Sequence, residues 1–369
     1  MGTKILLGDF QHCAVYCVVY GALFAGAAAF AQFNFKTEPA DGESLSGGPK
    51  RGKSLSQIWR AGIIIQPGPA LNNVTLTLPV PMDWYEQKVI NINEEKTDAE
   101  IAAKIEYNVI NNGAKEMTLR LGDVQADKEV QIILAFELQN SELLPPDNTG
   151  DYIIPKKLSK EVQPYLRESP CIESDNPRFT KMYHDITKDR KNTWDKVEAL
   201  YSFVQNNVKY DDDGWKRPAN GALAITKMPK GQWTGDCKDM SCLFVALCRA
   251  GKIPARIVRV PEHCYPEFYL ELVQDTKKPK SSINNSQSEK EKKPAGFWFP
   301  CQVSGTYAFG GIPERRVILQ KGDSFPDADN PKMKTLWLKE CFQGSVSAGS
   351  PGPKFKWIHE TAAAGSSER

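Results

Sequence analysis

A change of hydrophobic period at Pro145-Pro146-Asp147 divides the chain into two kinds of structure. Upstream lie short β-branched runs: Ala61–Ile65, Val74–Leu78, Ile105–Ile110, Met117–Leu121 and Val130–Phe136. Turn signals separate them, among them Pro67-Gly68, Asn111-Asn112-Gly113 and Gly122-Asp123. Several of these runs alternate apolar and polar residues, the period of a strand with one buried face, and together they predict a small antiparallel β-sandwich. Downstream the period becomes helical. Ser159–Leu166 and Pro177–Thr187 read as helices. Asn192-Thr193-Trp194-Asp195 reads as a helix start, with Val197, Leu200, Tyr201 and Val204 on its core face and an end near Asn207.

Lys4 precedes an uncharged apolar run from Cys13 to Phe30, and Ala29-Phe30-Ala31 then supplies a small-x-small cleavage pattern before Gln32. The pattern is that of a secretory signal peptide over residues 1–31, with an uncleaved N-terminal membrane anchor as the alternative. A Gly/Ser/Pro/Lys-rich linker is expected over 32–55, a β-rich domain over 56–148, a second domain over 149–344 and a frayed tail over 345–369. A polar insert, Lys277–Lys293, reads as a disordered hairpin tip. The expected product is exported, periplasmic or extracellular, with no membrane span in the mature chain. Net charge is +2, which gives no electrostatic case for nucleic acid.

Export alters the reading of the cysteines. Of nine, Cys13 and Cys17 leave with the signal, so seven remain. An odd number outside the cytosol leaves at least one free thiol. Neither a Cys-x-x-Cys pair nor a His pair at ligand spacing occurs, and no metal or other cofactor is expected. Asp211-Asp212-Asp213 reads as a solvated turn rather than a calcium site.

The free thiol is best placed at Cys237. Gly235-Asp236 leads into Cys237, and an apolar helix then runs to Gly251 as its C-cap. A cysteine at a helix N-terminus has its thiolate stabilised by the macrodipole and by unpaired N–H groups, and those groups can also hold an oxyanion. Cys242 and Cys248, among Leu243, Phe244, Val245 and Leu247, read as inert core residues. A strand over Ile253–Val260 follows. His263 opens a second strand through Leu270, and Gly296–Gln302 forms a third.

This order resembles the transglutaminase-like superfamily, whose core is a papain-like α+β fold. Gly235-Asp236-Cys237 matches the family's helix start. Ala246-Leu247-Cys248-Arg249 and Ile253-Pro254-Ala255-Arg256 match its helix-to-strand run, with Lys252 where the family usually has Gly. His263, Tyr265 and Glu267 match its His strand, and the upstream Val208-Lys209-Tyr210 also fits. The resemblance spans roughly residues 176 to 310. It implies a catalytic triad of Cys237, His263 and, four residues after Trp298, Gln302 where the family usually places Asp. A glutamine carbonyl can accept the imidazole N–H and fix its tautomer, but it brings no negative charge to an imidazolium.

If His263 and Gln302 face each other on antiparallel strands, Cys264 and Cys301 face each other on the other side, as a disulfide or a buried pair. Trp233 and Trp215 are candidates for a second oxyanion donor through their indole N–H. Glu267 is expected to orient a neighbouring loop and Arg256 to make a structural ion pair. The expected activity is acyl transfer from a peptide or amide, either to water (protease or amidase) or to an amine (transglutaminase). The alternative is a catalytically degenerate binding or scaffold protein.

Overall fold

In the computed structural model, residues 3–7, 47–97, 104–213, 217–273 and 296–363 are described. The apolar run Cys13–Phe30, Trp215 and the insert Lys277–Lys293 lie outside them. The chain forms two compact units, one of Met1–Glu43, Ser54–Ser141 and Arg315–Arg369, the other of Ser44–Lys53 and Glu142–Glu314.

The first unit opens with strands β1 (Thr3–Leu7), β2 (Lys50–Ile65, from Ser54), β3 (Leu71–Val80), β4 (Gln87–Thr97), β5 (Lys104–Ile110), β6 (Ala114–Val124) and β7 (Val130–Leu144, to Ser141). The second contains β8 (Tyr152–Ile153), α1 (Pro177–Thr187), α2 (Thr193–Asn207), β9 (Lys209–Tyr210), α3 (Ala222–Lys227), β10 (Thr234–Gly235), α4 (Cys237–Ala250), β11 (Ala255–Val260), β12 (His263–Leu272), β13 (Gly296–Gln302) and β14 (Ala308–Phe309). The chain then returns to the first unit for β15 (Gln320–Lys321), β16 (Phe325–Pro326), β17 (Lys334–Thr335), β18 (Cys341–Val346) and β19 (Phe355–Ala363). The fold is α+β, with a β-rich region ahead of the helices.

In the β unit one sheet runs β19-β2-β7-β4, and a second runs β1-β18-β3-β6-β15 with β5 also on β6. Their inner faces carry the period-two set of apolar residues that several of the runs show in the sequence. Trp59, Ala61, Ile63 and Ile65 of β2, Val130, Ile132, Leu134, Phe136 and Leu138 of β7, and Val74, Leu76, Leu78 and Val80 of β3 are all buried in one cluster. Successive side chains of a strand point to opposite faces, so every second residue enters the core.

The boundaries differ from the expected ones at the C-terminal side. Residues 315–344, expected in the second domain, belong to the β unit, and so does the segment expected to fray. β18 pairs antiparallel with β3, Phe342 opposite Leu76. β19 pairs along its whole length with β2, Phe355 opposite Ile65 and Ala363 opposite Gln57. Phe355 stacks on Phe342 with ring centroids 4.6 Å apart. Thr3–Leu7, inside the segment expected to be cleaved, pairs antiparallel with β18.

Buried amides fasten the returning chain to the sheets. Gln57 donates to Arg315 O at 2.7 Å and to Asn140 Oδ1 at 3.0 Å. Asn140 donates to Gln87 Oε1 at 2.7 Å, and Gln87 donates to Ile318 O at 3.0 Å while accepting from Ile318 N–H at 2.6 Å. Each polar group finds a partner, which is the condition for burying it.

In the second unit α4 is the centre: every residue from Cys237 to Arg249 is buried. It packs against α1, α2 and α3 on one side and β11 and β12 on the other. The sheet order is β11-β12-β13-β14, with β8 at the end of β12. Helix α2 begins as expected, the Asn192 side chain accepting from Asp195 N–H at 2.8 Å. Only Gln163–Leu166 of the helix expected over Ser159–Leu166 is helical, as a 3-10 turn. Gly251 ends α4, but at φ −82°. It must be glycine because a Cβ there would lie 2.1 Å from the Tyr183 ring. The left-handed residue is Lys252, φ 63°, at the position where the resembled family usually has Gly.

Replacing Gln87 by Ala is expected to lower the stability of the β unit by about 2 kcal/mol, because Asn140 and the Ile318 backbone lose their buried partners. Urea unfolding followed by far-UV circular dichroism measures it, and a change under a few tenths of a kcal/mol would mean the network is solvated.

Candidate active site

Cys237 occupies the first position of α4. Asp236 is the N-cap, and its side chain accepts from Lys238 N–H at 2.9 Å and Asp239 N–H at 3.0 Å. Asp239 reaches back to Asp236 N–H at 3.4 Å, completing a capping box. Met240 N–H bonds to Asp236 O. Among the described residues no acceptor takes the Cys237 N–H, which the cap thus leaves unused. Gly235 has to be glycine, since a Cβ there would lie 2.7 Å from Asp239 Cβ. The cap is itself braced: Asp239 accepts from Asn220 N–H at 2.7 Å and pairs with Arg217 at 3.0 Å, and Asp236 pairs with Lys238 at 2.7 Å.

The thiol of Cys237 is 1% exposed. Its pKa is drawn down to about 5, chiefly by a hydrogen bond from Cys264; burial opposes this, and His263 reinforces it by hydrogen bond and charge. The Cys264 thiol is pushed far up by burial and by Cys237, so it stays protonated and donates. The pair splits into one thiolate and one thiol.

His263 begins β12 at the end of the β11–β12 hairpin, opposite Val260. Its Nε2 lies 3.0 Å from Gln302 Oε1, which leaves Nδ1 for Cys237. Gln302 ends β13, is 4% exposed, and has its backbone carbonyl held by Gln205 of α2 at 3.1 Å. Its amide N–H donates to Glu314 Oε1 at 3.4 Å. The three residues expected to form the triad therefore lie in one line of contacts.

Other expectations are corrected. Glu267 faces Pro300 across β12 and β13. Carried two residues further, that register sets Tyr265, not His263, across from Gln302. His263 reaches Gln302 diagonally, as i and j±2 neighbours on one face can. The same shift makes Cys264 and Cys301 diagonal rather than directly opposite, and no disulfide joins them. Both are free thiols: Cys264 contacts Ser241 Oγ at 3.8 Å, Cys301 contacts Pro266 O at 3.8 Å. The Trp233 indole N–H donates to Met228 O at 3.1 Å, so its own loop holds it away from oxyanion duty. Glu267 does not orient a loop alone: it is opposite Arg256 and takes that residue's guanidinium at 2.8 Å, while Arg256 lies 4.0 Å over the Trp298 ring. Asp212 and Asp213 form the exposed turn that was expected, and Asp211 beside them pairs with Arg217 at 3.1 Å.

Two residues at the site were not found by sequence reasoning as such. Cys264 had been paired with Cys301, although its place next to His263 was visible. Tyr210 sits on β9, opposite Gly235 of β10, two residues before the nucleophile. Its hydroxyl is pushed up to about 12 by burial, then by the negative charges of Cys237 and Asp236.

The Transglutaminase-like superfamily model matches residues 180–288, a span that holds Cys237 and His263 and stops short of Gln302. An uncharacterized protein of Haemophilus influenzae is 25% identical over 198 residues, 52% of this chain and 51% of that protein, so the chain spans about half the length of that relative. The crystal structure of a candidate cysteine protease from Cytophaga hutchinsonii superposes with a TM-score of 0.51 at 16% identity, over 84% of this chain and 92% of that one. The periplasmic domain of TgpA from Pseudomonas aeruginosa covers 60% of this chain and 68% of its own at a TM-score of 0.29 and 14% identity. Residues 180–288, which carry the helix of Cys237 and the strand of His263, are thus similar to the Transglutaminase-like superfamily, and the fold around them is shared with a solved structure.

Proposed function

We propose that the protein is a cysteine acyl-transfer enzyme acting on a peptide or amide through Cys237, His263 and Gln302. The observation that carries this is the continuous contact from a helix-terminal thiol, through an imidazole, to an amide oxygen 3.0 Å from its far nitrogen. The Cys237 thiolate attacks the carbonyl carbon, and a C–S bond forms as the carbonyl electrons move to oxygen. The Cys237 N–H donates to that oxyanion. Imidazolium His263 gives its proton to the leaving nitrogen and the C–N bond breaks. Water, or an amine, then attacks the thioester, His263 takes the incoming proton, and the thiolate leaves. The candidate cysteine protease of similar fold favours water as acceptor. Trp215 stays a candidate for the second oxyanion donor.

The test is alkylation of Cys237 by iodoacetamide as a function of pH. The expected half-maximal rate is near pH 5, far under the ~8.5 of a free thiol. The sign follows from the cause: hydrogen bonds to the thiolate favour the charged form, so reactivity is present above the lowered pKa and is lost as pH falls through it. His263→Ala should move the midpoint up by at least about one unit, since a charge partner and a hydrogen bond leave together. A midpoint near ~8.5 that ignores the mutation would instead favour the non-catalytic scaffold reading, which the neutral Gln302 motivates. Cys264→Ala should also raise the midpoint, by removal of the donor to the thiolate, and an unchanged midpoint would show that Cys264 does not reach Cys237 in solution.

We further propose export with cleavage after about Ala31. No helix among the described residues is long and apolar enough to cross a membrane. Intact mass of the protein recovered from outside the cytoplasm should correspond to a chain starting at Gln32. A retained Met1 would support the membrane-anchor alternative and keep the Thr3–Leu7 strand on β18.

A further inference from the structure

We propose that Glu314 is a positioning residue that fixes which end of the Gln302 amide faces His263, an inference that rests on the triad reading above. A carboxylate at the third position of such a triad presents oxygen to the imidazole whichever way it turns. An amide does not, for it has an acceptor at one end and two donors at the other. With Oε1 toward His263, Nε2 of the ring is the protonated nitrogen and Nδ1 is free to accept the proton of Cys237. With the amide reversed, its N–H faces Nε2, the ring proton shifts to Nδ1, and the base is lost. Sequence alone cannot choose between these two orientations.

Glu314 chooses. Its Oε1 lies 3.4 Å from Gln302 Nε2, while Gln302 Oε1 lies 3.0 Å from His263 Nε2. An ionised carboxylate accepts and cannot donate, so the reversed amide would set oxygen against oxygen. Gln302 is 4% exposed, its backbone carbonyl is held by Gln205, and the amide has little room to seek water. A charged acceptor behind the amide also polarises it, making Oε1 a better acceptor for the imidazolium N–H. The chain thereby places a carboxylate one hydrogen bond further out, at 314 instead of 302. Cys237 also contacts the ring, and Cys264 contacts Cys237.

The chain has four histidines, so the His263 imidazole can be followed by heteronuclear NMR and assigned from the signals lost in His263→Ala. Titration in a Cys237→Ser background removes the coupled thiolate and needs no turnover, so the result stands apart from whether alkylation shows an active thiol. Glu314→Gln is expected to lower the His263 pKa by about half a unit or more and to redistribute its neutral tautomer toward Nδ1–H. Glu314→Ala should do the same. In a Gln302→Asp background, where no amide needs orienting, Glu314→Gln should no longer lower that pKa. No change with Gln302 present, or an equal lowering in both backgrounds, would overturn the proposal: the first leaves Glu314 inert, the second makes it a distant charge.

Discussion

The second unit depends on one N-cap. Asp236 and Asp239 close the start of α4 by taking each other's neighbouring N–H groups, and Arg217 and Asn220 hold Asp239 in place. The cap places two carboxylates next to a thiol that has to ionise, and Asp236 does push the Cys237 pKa upward. The cost is small beside what the cap fixes. A helix that begins at Cys237 sets the thiol beside both His263 and Cys264. The donors to the thiolate outweigh the acidic neighbours, which is why its pKa falls to about 5 rather than rising.

Around that start, the groups of the site come from β12, β13 and the chain after β14, each by its own route. Cys264 arrives because a strand turns alternate side chains to opposite faces: His263 lies on one and its neighbour on the other, and both meet the helix end. Gln302 arrives diagonally from β13. Glu314 arrives from the irregular chain after β14. The site is thus a convergence of a helix cap, a strand start, a strand end and a loop. The loop member supplies the negative charge that the glutamine lacks.

Much of this was legible. The Gly235-Asp236-Cys237 start, the apolar helix, and the His263 strand follow from local signals that a cap, a period and a glycine write into adjacent residues. What was not legible is long-range. Period-two alternation specifies which face a residue takes but is unchanged by a slip of two residues, so the face shared by His263 and Gln302 was right while the Cys264–Cys301 pairing was not. Trp233 was a candidate donor, and nothing in the sequence says that its indole N–H is taken by the Met228 carbonyl. Glu314 sits among residues with no period at all. The strands β18 and β19 are flanked by glycine, serine and lysine, and take their identity from β3 and β2, some 270 to 300 residues earlier. No local window contains that information.

The discontinuity of the β unit bears on the order of assembly. Residues 142–314 are contiguous, so during synthesis the unit with α4 has its whole core available before the last strands exist. The sandwich cannot close until Cys341–Val346 and Phe355–Ala363 emerge. Until then β2 and β3 present unpaired edges and the inner face of Trp59, Ile63 and Leu76 lacks its cover. Pairings this distant along the chain are slow to form, and an open edge invites pairing with another chain. Maturation therefore runs from the middle of the polypeptide outward, and its vulnerable interval is the time between translating residue 314 and docking β19.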